Sequence, residues 1–342
     1  MTDDFVNRAM ASGNGVIIDA IMKCQQVFDK HEHALVSISG GGDSDCMLDL
    51  CEHVRKVTPI ELTYVWFDTG IEYRATRRHL DYLEDRYGIE IVRYKPVKSI
   101  PTCCKEFGQP FMSKYVSAHM ERLQRHGFQW EDEPFDVLVE RYPEVTSAIK
   151  WWCNKWTRTD DPGWFDIDRF KLLKEFIASN PPWFRISNKC CEFTKKKVAK
   201  NANKEFGVDL ELTGIRKSEG GARAAIGKCF TAHEGGVDTY RPLLWFSERD
   251  KADYERAFGI RHSDCYELWG FKRTGCVGCP FGRSHDWELD TARQYEPSLV
   301  NAAERIFADS YEYTRMYWEY RNEHSTGQMT LNLRSARGRG TE

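Results

Sequence analysis

The chain has 342 residues, a net charge of −3 at pH 7, 41% hydrophobic residues and twelve cysteines. That length carries one large domain or two modest ones with ample core, and the near-balanced charge excludes a global field that draws the protein onto nucleic acid or membrane. The opening "MTDDFVNRAM" is acidic and polar rather than a signal peptide, and no apolar run approaches the ~18 residues of a membrane span, so a cytoplasmic protein is expected, with cysteines as thiols or metal ligands rather than a secreted disulfide framework.

In chain order, a helix-like segment over about 14–30 leads into Ala34-Leu35-Val36-Ser37-Ile38, which reads as a short buried strand. Met47, Leu50, Cys51 and Val54 then recur at helical spacing and predict a helix over 43–56. The turn between them is Ser39-Gly40-Gly41-Gly42-Asp43-Ser44. Glycine there lets the backbone take positive φ and approach a ligand closely, while the helix N-terminus offers N–H groups and a positive dipole end to an anion. A tight turn capped by Asp43 or Ser44 is the plainer alternative. The stretch is not a Walker A loop, since no Gly-Lys-Ser/Thr follows, and it lacks the glycine spacing of the dinucleotide fingerprint.

A second strand over 60–67 ends in Asp68-Thr69-Gly70, followed by a helix from near Glu72 to Gly88 and a third strand over 89–96. This alternation predicts an α/β fold with a parallel sheet and helices on both faces, whose ligands bind beyond the strand carboxyl ends. Both the glycine turn and Asp68-Thr69-Gly70 begin at such ends, so they should converge on one pocket, although a plain turn and cap also explains the second. Residues 100–185 break the rhythm and are rich in Trp, Phe and Tyr, predicting a helical insertion with its own aromatic core. A stacking platform for a nucleobase is the alternative use of some of those rings.

Cys190 and Cys191 are adjacent, and "GCVGCPFG" supplies Cys276 and Cys279. Four thiolates suit either a tetrahedral zinc or an iron–sulfur cubane; adjacent cysteines are awkward as a zinc knuckle and easier for a cluster whose iron corners are spread apart. Between the pairs, a strand-like "VDLELTG" ends at Gly214 and is followed by Arg216, Lys217 and Arg223 around Glu219-Gly220-Gly221. Arginines in a glycine-rich strand-end loop can grip a phosphate or sulfate in bidentate fashion; a solvated basic loop is the alternative. Lys195, Lys196 and Lys197 read as an ordinary helix face, and Lys272 and Arg273 stand where they could screen an anionic cluster. The expected organisation is a nucleotide-binding α/β domain from 1–99 and 186–284, the insertion at 100–185, a helical segment at 285–330 and a basic flexible tail at 331–342.

The motif at Ser39 to Ser44 resembles the PP-loop, S-G-G-x-D-S, of the N-type ATP pyrophosphatases and the phosphoadenosine-phosphosulfate (PAPS) reductases. With the Phe67-Asp68-Thr69-Gly70 strand end and the CC…CxxC cysteines in the same order, the chain resembles the PAPS reductase-like family of the PP-loop superfamily, with an iron–sulfur motif like that of the adenylyl-sulfate (APS) reductases. The resemblance implies an adenine nucleotide alpha hydrolase-like fold. It implies a nucleotide pocket from Ser37, Ser39, Gly40, Gly41, Gly42, Asp43, Ser44, Asp68, Thr69, Gly70, Gly214 and Arg216, with catalytic roles for Asp43, Ser44, Arg216 and Arg223. It implies a [4Fe-4S] cluster on Cys190, Cys191, Cys276 and Cys279. Where the superfamily often has lysine this chain has Gly42, so another cation must serve, the Arg216 and Arg223 loop being the expected source, or backbone amides and metal must suffice.

Two chemistries follow from the resemblance. Sulfonucleotide reduction needs a nucleophilic cysteine, usually on a C-terminal tail, and none follows Cys279 in this sequence. The expected function is therefore an ATP-dependent sulfurtransferase using Mg²⁺ with ATP, releasing pyrophosphate and inserting sulfur from a cysteine desulfurase or other donor into a nucleic acid or small metabolite. A PAPS/APS reductase-type oxidoreductase is the alternative, its attack made by an external thiol or by Cys103, Cys104, Cys153, Cys229 or Cys265. Cys103 and Cys104 come first, with Lys98 and Lys105 expected to depress their pKa. A non-catalytic nucleotide-binding regulator is the third reading.

Overall fold

The computed structural model describes residues 3–157, 163–282 and 285–336. In chain order the elements used below are α1 (Asp3–Ala11), α2 (Gly15–Phe28), β1 (His33–Ile38), α3 (Gly42–Arg55), β2 (Glu61–Phe67), α4 (Arg74–Tyr87), β3 (Ile91–Tyr94), α5 (Ile100–Phe107), α6 (Lys114–Arg125), α7 (Phe135–Arg141), α8 (Thr146–Trp152), α9 (Leu173–Ser179), α10 (Lys189–Cys191) and α11 (Lys197–Glu205). They continue with β4 (Leu210–Thr213), β5 (Phe230–Thr231), β6 (Asp238–Tyr240), α12 (Glu248–Phe258), α13 (Asp264–Glu267), α14 (His285–Tyr295), α15 (Pro297–Ile306) and α16 (Ala308–Ala336). The chain divides into a sheet unit (1–99, 192–277 and 288–299) and a helical unit (100–191, 278–287 and 300–342).

In the sheet unit the described residues form one six-stranded sheet in the order β3-β2-β1-β4-β6-β5, parallel throughout except for the β5–β6 pair. The chain leaves β1 toward β2 and β3, then returns to β4 on the other side, which makes the β1/β4 boundary the switch point where such sheets bind ligands. Ala34, Val36 and Ile38 of β1 pack into one core with Met47, Leu50 and Val54 of α3 and Tyr254 of α12. Leu35 faces the opposite side with Val65, Ala202 and Val208, so helices cover both faces as the sequence pattern predicts.

Local chemistry sets the helix ends. Asn14 Oδ1 accepts from the Val16 N–H at 3.0 Å to start α2, and Gly88, left-handed at φ +63°, ends α4. The α4 start lies two residues later than Glu72 because the Glu72 backbone pairs with Cys276, and the Glu296 carboxylate takes the Arg74 and Ala75 N–H groups at 2.8 and 2.9 Å. The third strand is shorter than 89–96 because the Ile89 N–H turns back to the Glu84 carbonyl at 3.2 Å. Helix α1 has no counterpart in the sequence reading.

The helical unit has its own core. Phe111, Met120, Trp151, Trp152 and Phe176 pack with Tyr313 and Tyr317 of α16. Trp151 and Trp152 are fully buried, so these two rings of "IKWWCNKW" serve packing, whereas Trp156 is exposed; Trp164 is also exposed, with the Arg169 guanidinium 3.3 Å from its ring centre. The division of the chain differs from the expected boundaries. Cys190, Cys191 and residues 278–287 group with the insertion, and so does the C-terminal segment from 300, because aromatic residues of α16 complete that core. Of the flexible tail expected at 331–342, residues 337–342 lie outside those described, and α16 runs to Ala336. Among the described residues no helix is long and apolar enough to cross a membrane.

Candidate functional site

The site is built where β1 and β4 end in the sheet unit. Gly40 is left-handed (φ +66°), and a Cβ there would lie 2.6 Å from the Thr76 methyl carbon, so both backbone angle and space demand glycine. The Ser44 hydroxyl donates to the Gly41 carbonyl at 2.8 Å and accepts from the Ser39 and Gly41 N–H groups, each at 3.2 Å. Ser44 is thus the knot that holds the loop closed. Gly214 crosses close behind, where an added Cβ would meet the Asp43 carbonyl oxygen at 3.0 Å.

Asp43, in the first turn of α3, gathers cations. Its Oδ1 accepts from Arg216 Nε at 2.8 Å and pairs with Lys251 Nζ at 3.2 Å. Arg216 is only 5% exposed and also holds Ser218 at 3.0 Å and Glu248 at 2.9 Å. Burial works against its charge, but Asp43 and Glu248 outweigh burial and raise its pKa further. Arg223 pairs with Glu219; burial, with the neighbouring Arg273 and Arg216 charges, pulls it below its ordinary value. Among the loop cations of the sequence reading, Arg216 therefore meets Asp43 directly, whereas Arg223 meets Glu219.

Beneath this lies a polar chain that sequence reasoning missed. The buried Asp45 Oδ2 bonds His79 Nε2 at 3.0 Å and His262 Nδ1 at 2.8 Å, and His262 Nε2 bonds Glu255 Oε1 at 2.8 Å. Lys251 Nζ closes the chain, 3.3 Å from Glu255 Oε1. Burial works to raise the Asp45 carboxyl, but His262 and His79 outweigh it and hold it below the usual carboxylate range. Burial opposes charge on His262, yet its bonds to Asp45 and Glu255 raise it to about 9, so it is an imidazolium at neutral pH. Lys251 and Glu255 sit four apart on α12 and read in sequence as a surface helix pair. Only the packing of α12 against α3 turns them to the loop.

Ser37 and Thr213, partners in register at the ends of β1 and β4, bury their hydroxyl oxygens with no hydrogen-bond partner among the described residues. Unpaired buried oxygens are costly and call for an explanation such as a ligand. At the end of β2, Asp68 accepts from the Gly70 N–H at 2.8 Å and Arg77 at 3.2 Å, while the fully buried Thr69 donates to Glu72 at 2.8 Å. Asp68-Thr69-Gly70 is thus held by its own turn together with Arg77 of α4.

The four motif cysteines are divided. Cys276 belongs to the sheet unit, where its thiol donates to Thr69 Oγ1 at 3.5 Å. Cys190, Cys191 and Cys279 belong to the helical unit, as does Cys104. The bond to Cys191, together with burial, pushes the Cys190 thiol far up. Among the described residues no group of three or more His, Cys, Asp or Glu is arranged to hold a metal ion. The depressed pKa expected at Cys104 is also corrected: burial and the Cys103, Cys279 and Cys191 thiols push it up to about 12. Lys105 is exposed and Lys98 lies over the Phe193 ring, 5.7 Å from its centre.

A family model for the phosphoadenosine phosphosulfate reductase domain matches residues 33–126 and 157–281. An uncharacterized 37.8 kDa protein of Escherichia phage 186 is 26% identical over 279 residues, covering 79% of this chain and 75% of that protein. Among solved structures, the phosphate complex of PAPS reductase from Candida auris is 18% identical with a TM-score of 0.37, covering 71% of this chain and 80% of that one. The U34-tRNA thiolase of Methanococcus maripaludis with its [4Fe-4S] cluster is 14% identical with a TM-score of 0.38, covering 88% of this chain and 79% of that one. The matched model spans both the β1–α3 loop and the Arg216 loop, and it describes nucleotide-using enzymes of sulfur chemistry. The chain belongs to the phosphoadenosine phosphosulfate reductase domain family.

Proposed function

We propose that this protein is an ATP-dependent PP-loop sulfurtransferase. The reaction assigned to it begins when a substrate oxygen attacks the α-phosphorus of ATP, and pyrophosphate leaves with the electron pair of the broken P–O bond. A sulfur nucleophile then displaces AMP, which departs with the substrate oxygen. The acceptor is a nucleic acid or a small metabolite, and the sulfur comes from a cysteine desulfurase or another donor.

The observation that carries this reading is Asp43 between Arg216 and Lys251 at the start of α3, at the β1/β4 switch point. The helix N-terminus and cations suit a leaving polyphosphate, whose developing charge is stabilised best by preorganised donors. Both ion pairs use Oδ1 of Asp43, and its carboxylate is the group that would hold Mg²⁺ accompanying ATP, an ion that neutralises phosphate charge. Three thiols of the same unit fit reduction poorly. Burial pushes Cys46 and Cys51 well above the usual thiol range and Cys265 up to about 12. The [4Fe-4S] cluster on Cys190, Cys191, Cys276 and Cys279 is proposed on the sequence motif alone, and no step is assigned to it. The test is pyrophosphate release from ATP and Mg²⁺ with a nucleic-acid acceptor and a sulfur donor present; no release with any acceptor tried, alongside rapid sulfite release from PAPS or APS, favours the reductase instead.

A further inference from the structure

We infer that Lys251, delivered from α12, is the side chain that pairs with the nucleotide's phosphates at the β1–α3 loop, and that residue 42 is glycine because Lys251 occupies the space its side chain would need. The inference rests on the nucleotide reading above. A Cβ built on Gly42 would lie 2.6 Å from Lys251 Nζ and 3.3 Å from both Lys251 Cε and His262 Cε1. The ammonium group is therefore seated against the first turn of α3, where backbone N–H groups and the helix dipole already favour an anion.

Neighbouring groups fix it there. Lys251 spans two carboxylates, Asp43 at 3.2 Å and Glu255 at 3.3 Å, and its side chain is 16% exposed. Glu255 is held by His262, and His262 by the buried Asp45, both at 2.8 Å. His262 has spent both ring nitrogens on carboxylates, so it is a positioning residue for Lys251 and not a phosphate ligand. With the ammonium delivered from α12, a side chain at position 42 would have to displace Lys251 from this seat.

The experiment titrates the full-length protein with ATP and Mg²⁺, and separately with PAPS, by calorimetry. Lys251→Ala and Lys251→Gln should each weaken the better-bound nucleotide by roughly ten- to a hundredfold, the scale of a lost charge-assisted hydrogen bond. Gly42→Lys alone should also lose binding, while Gly42→Lys/Lys251→Ala should regain most of what Lys251→Ala loses, with melting curves confirming that each variant folds. Wild-type affinity in both Lys251 variants overturns the inference, and a double variant no tighter than Lys251→Ala overturns the claim that the two positions share one space. If Arg216→Ala loses nucleotide while the Lys251 variants keep it, the nucleotide reading stands and this inference falls. If the wild type binds neither nucleotide, both fall.

Discussion

Arg216 donates through Nε to Asp43 Oδ1 at 2.8 Å, joining the loop after β4 to the first turn of α3. A guanidinium this buried is strongly penalised unless anions surround it, so the pair holds both loops in register and keeps a planar donor fork at the strand ends. Arg216→Ala should weaken nucleotide binding by about 1.5–3 kcal/mol, and Arg216→Lys should recover only part of it because the fork is lost. Arg223→Ala should cost less, since its side chain is 35% exposed and Glu219 takes its charge. Equilibrium binding measures both. Full affinity in Arg216→Ala would put the nucleotide elsewhere.

The β1–α3 loop makes a prediction about stability. Gly40→Ala must hold a Cβ at φ +66° and 2.6 Å from the Thr76 methyl carbon. The backbone term alone is about 1–2 kcal/mol, and the steric contact adds to it. Ser44→Ala should destabilise by about 1–3 kcal/mol, because the Ser39 and Gly41 N–H groups lose their acceptor inside a buried turn. Urea unfolding gives both numbers; a Gly40→Ala protein as stable as wild type would show that the loop relaxes freely.

How much of this was legible follows from how local each signal is. The βα alternation and the glycine turn are written in periods of a few residues, so β1, α3, β2, α4 and the parallel sheet could be read directly. Asp43 and Arg216 were both singled out, yet their bond could not be, since it depends on β4 lying beside β1. Lys251 and His262 carried no signal at all. In sequence they belong to an ordinary amphipathic helix and the turn after it, and only tertiary packing brings them to Gly42. Tyr313 and Tyr317 show the same limit: nothing in α16 says that its aromatic face completes the core of a segment more than a hundred residues earlier.

His262 makes the fold sensitive to alkali. Its bonds to Asp45 and Glu255 raise its pKa to about 9 from an unfolded value near 6.5, so the folded state binds its proton more tightly. The stability this gives is fully present below pH 6.5 and is lost as the pH rises through about 9. Across that window the loss should be on the order of 3 kcal/mol. In His262→Gln the loss over the same window should shrink, although the variant is less stable at neutral pH. A wild-type stability that stays flat from pH 6.5 to 9.5 would mean His262 is neutral in the folded protein.

The cysteine motif is tested by metal analysis. Protein purified without oxygen is expected to be brown and to carry about four irons per chain, the content of a Cys₄ [4Fe-4S] site. Loss of iron in Cys190→Ala, Cys191→Ala, Cys276→Ala and Cys279→Ala, with iron retained in Cys104→Ser, would define the ligand set. Stoichiometric zinc without iron would instead identify a structural zinc site.

The choice between the two chemistries turns on where a reactive thiol is available. Reduction of a sulfonucleotide needs a thiolate whose sulfur bonds to the sulfonyl sulfur as the S–O bond to phosphate breaks, after which reduced thioredoxin releases sulfite. Cys103 is fully buried in α5, where a sulfonucleotide has no access to it, and Cys104 is pushed up to about 12, so at pH 7 it is not a thiolate. In the sheet unit, burial likewise holds Cys46 and Cys51 in the thiol form. Turnover of PAPS or APS with reduced thioredoxin should therefore be slow or absent, and what remains should be the same in Cys103→Ser/Cys104→Ser. Pyrophosphate release, by contrast, asks nothing of these thiols and should be unaffected by the double change while falling in Arg216→Ala. Rapid sulfite release that disappears in the double variant would establish an internal nucleophile in α5 and reverse the preference for adenylation.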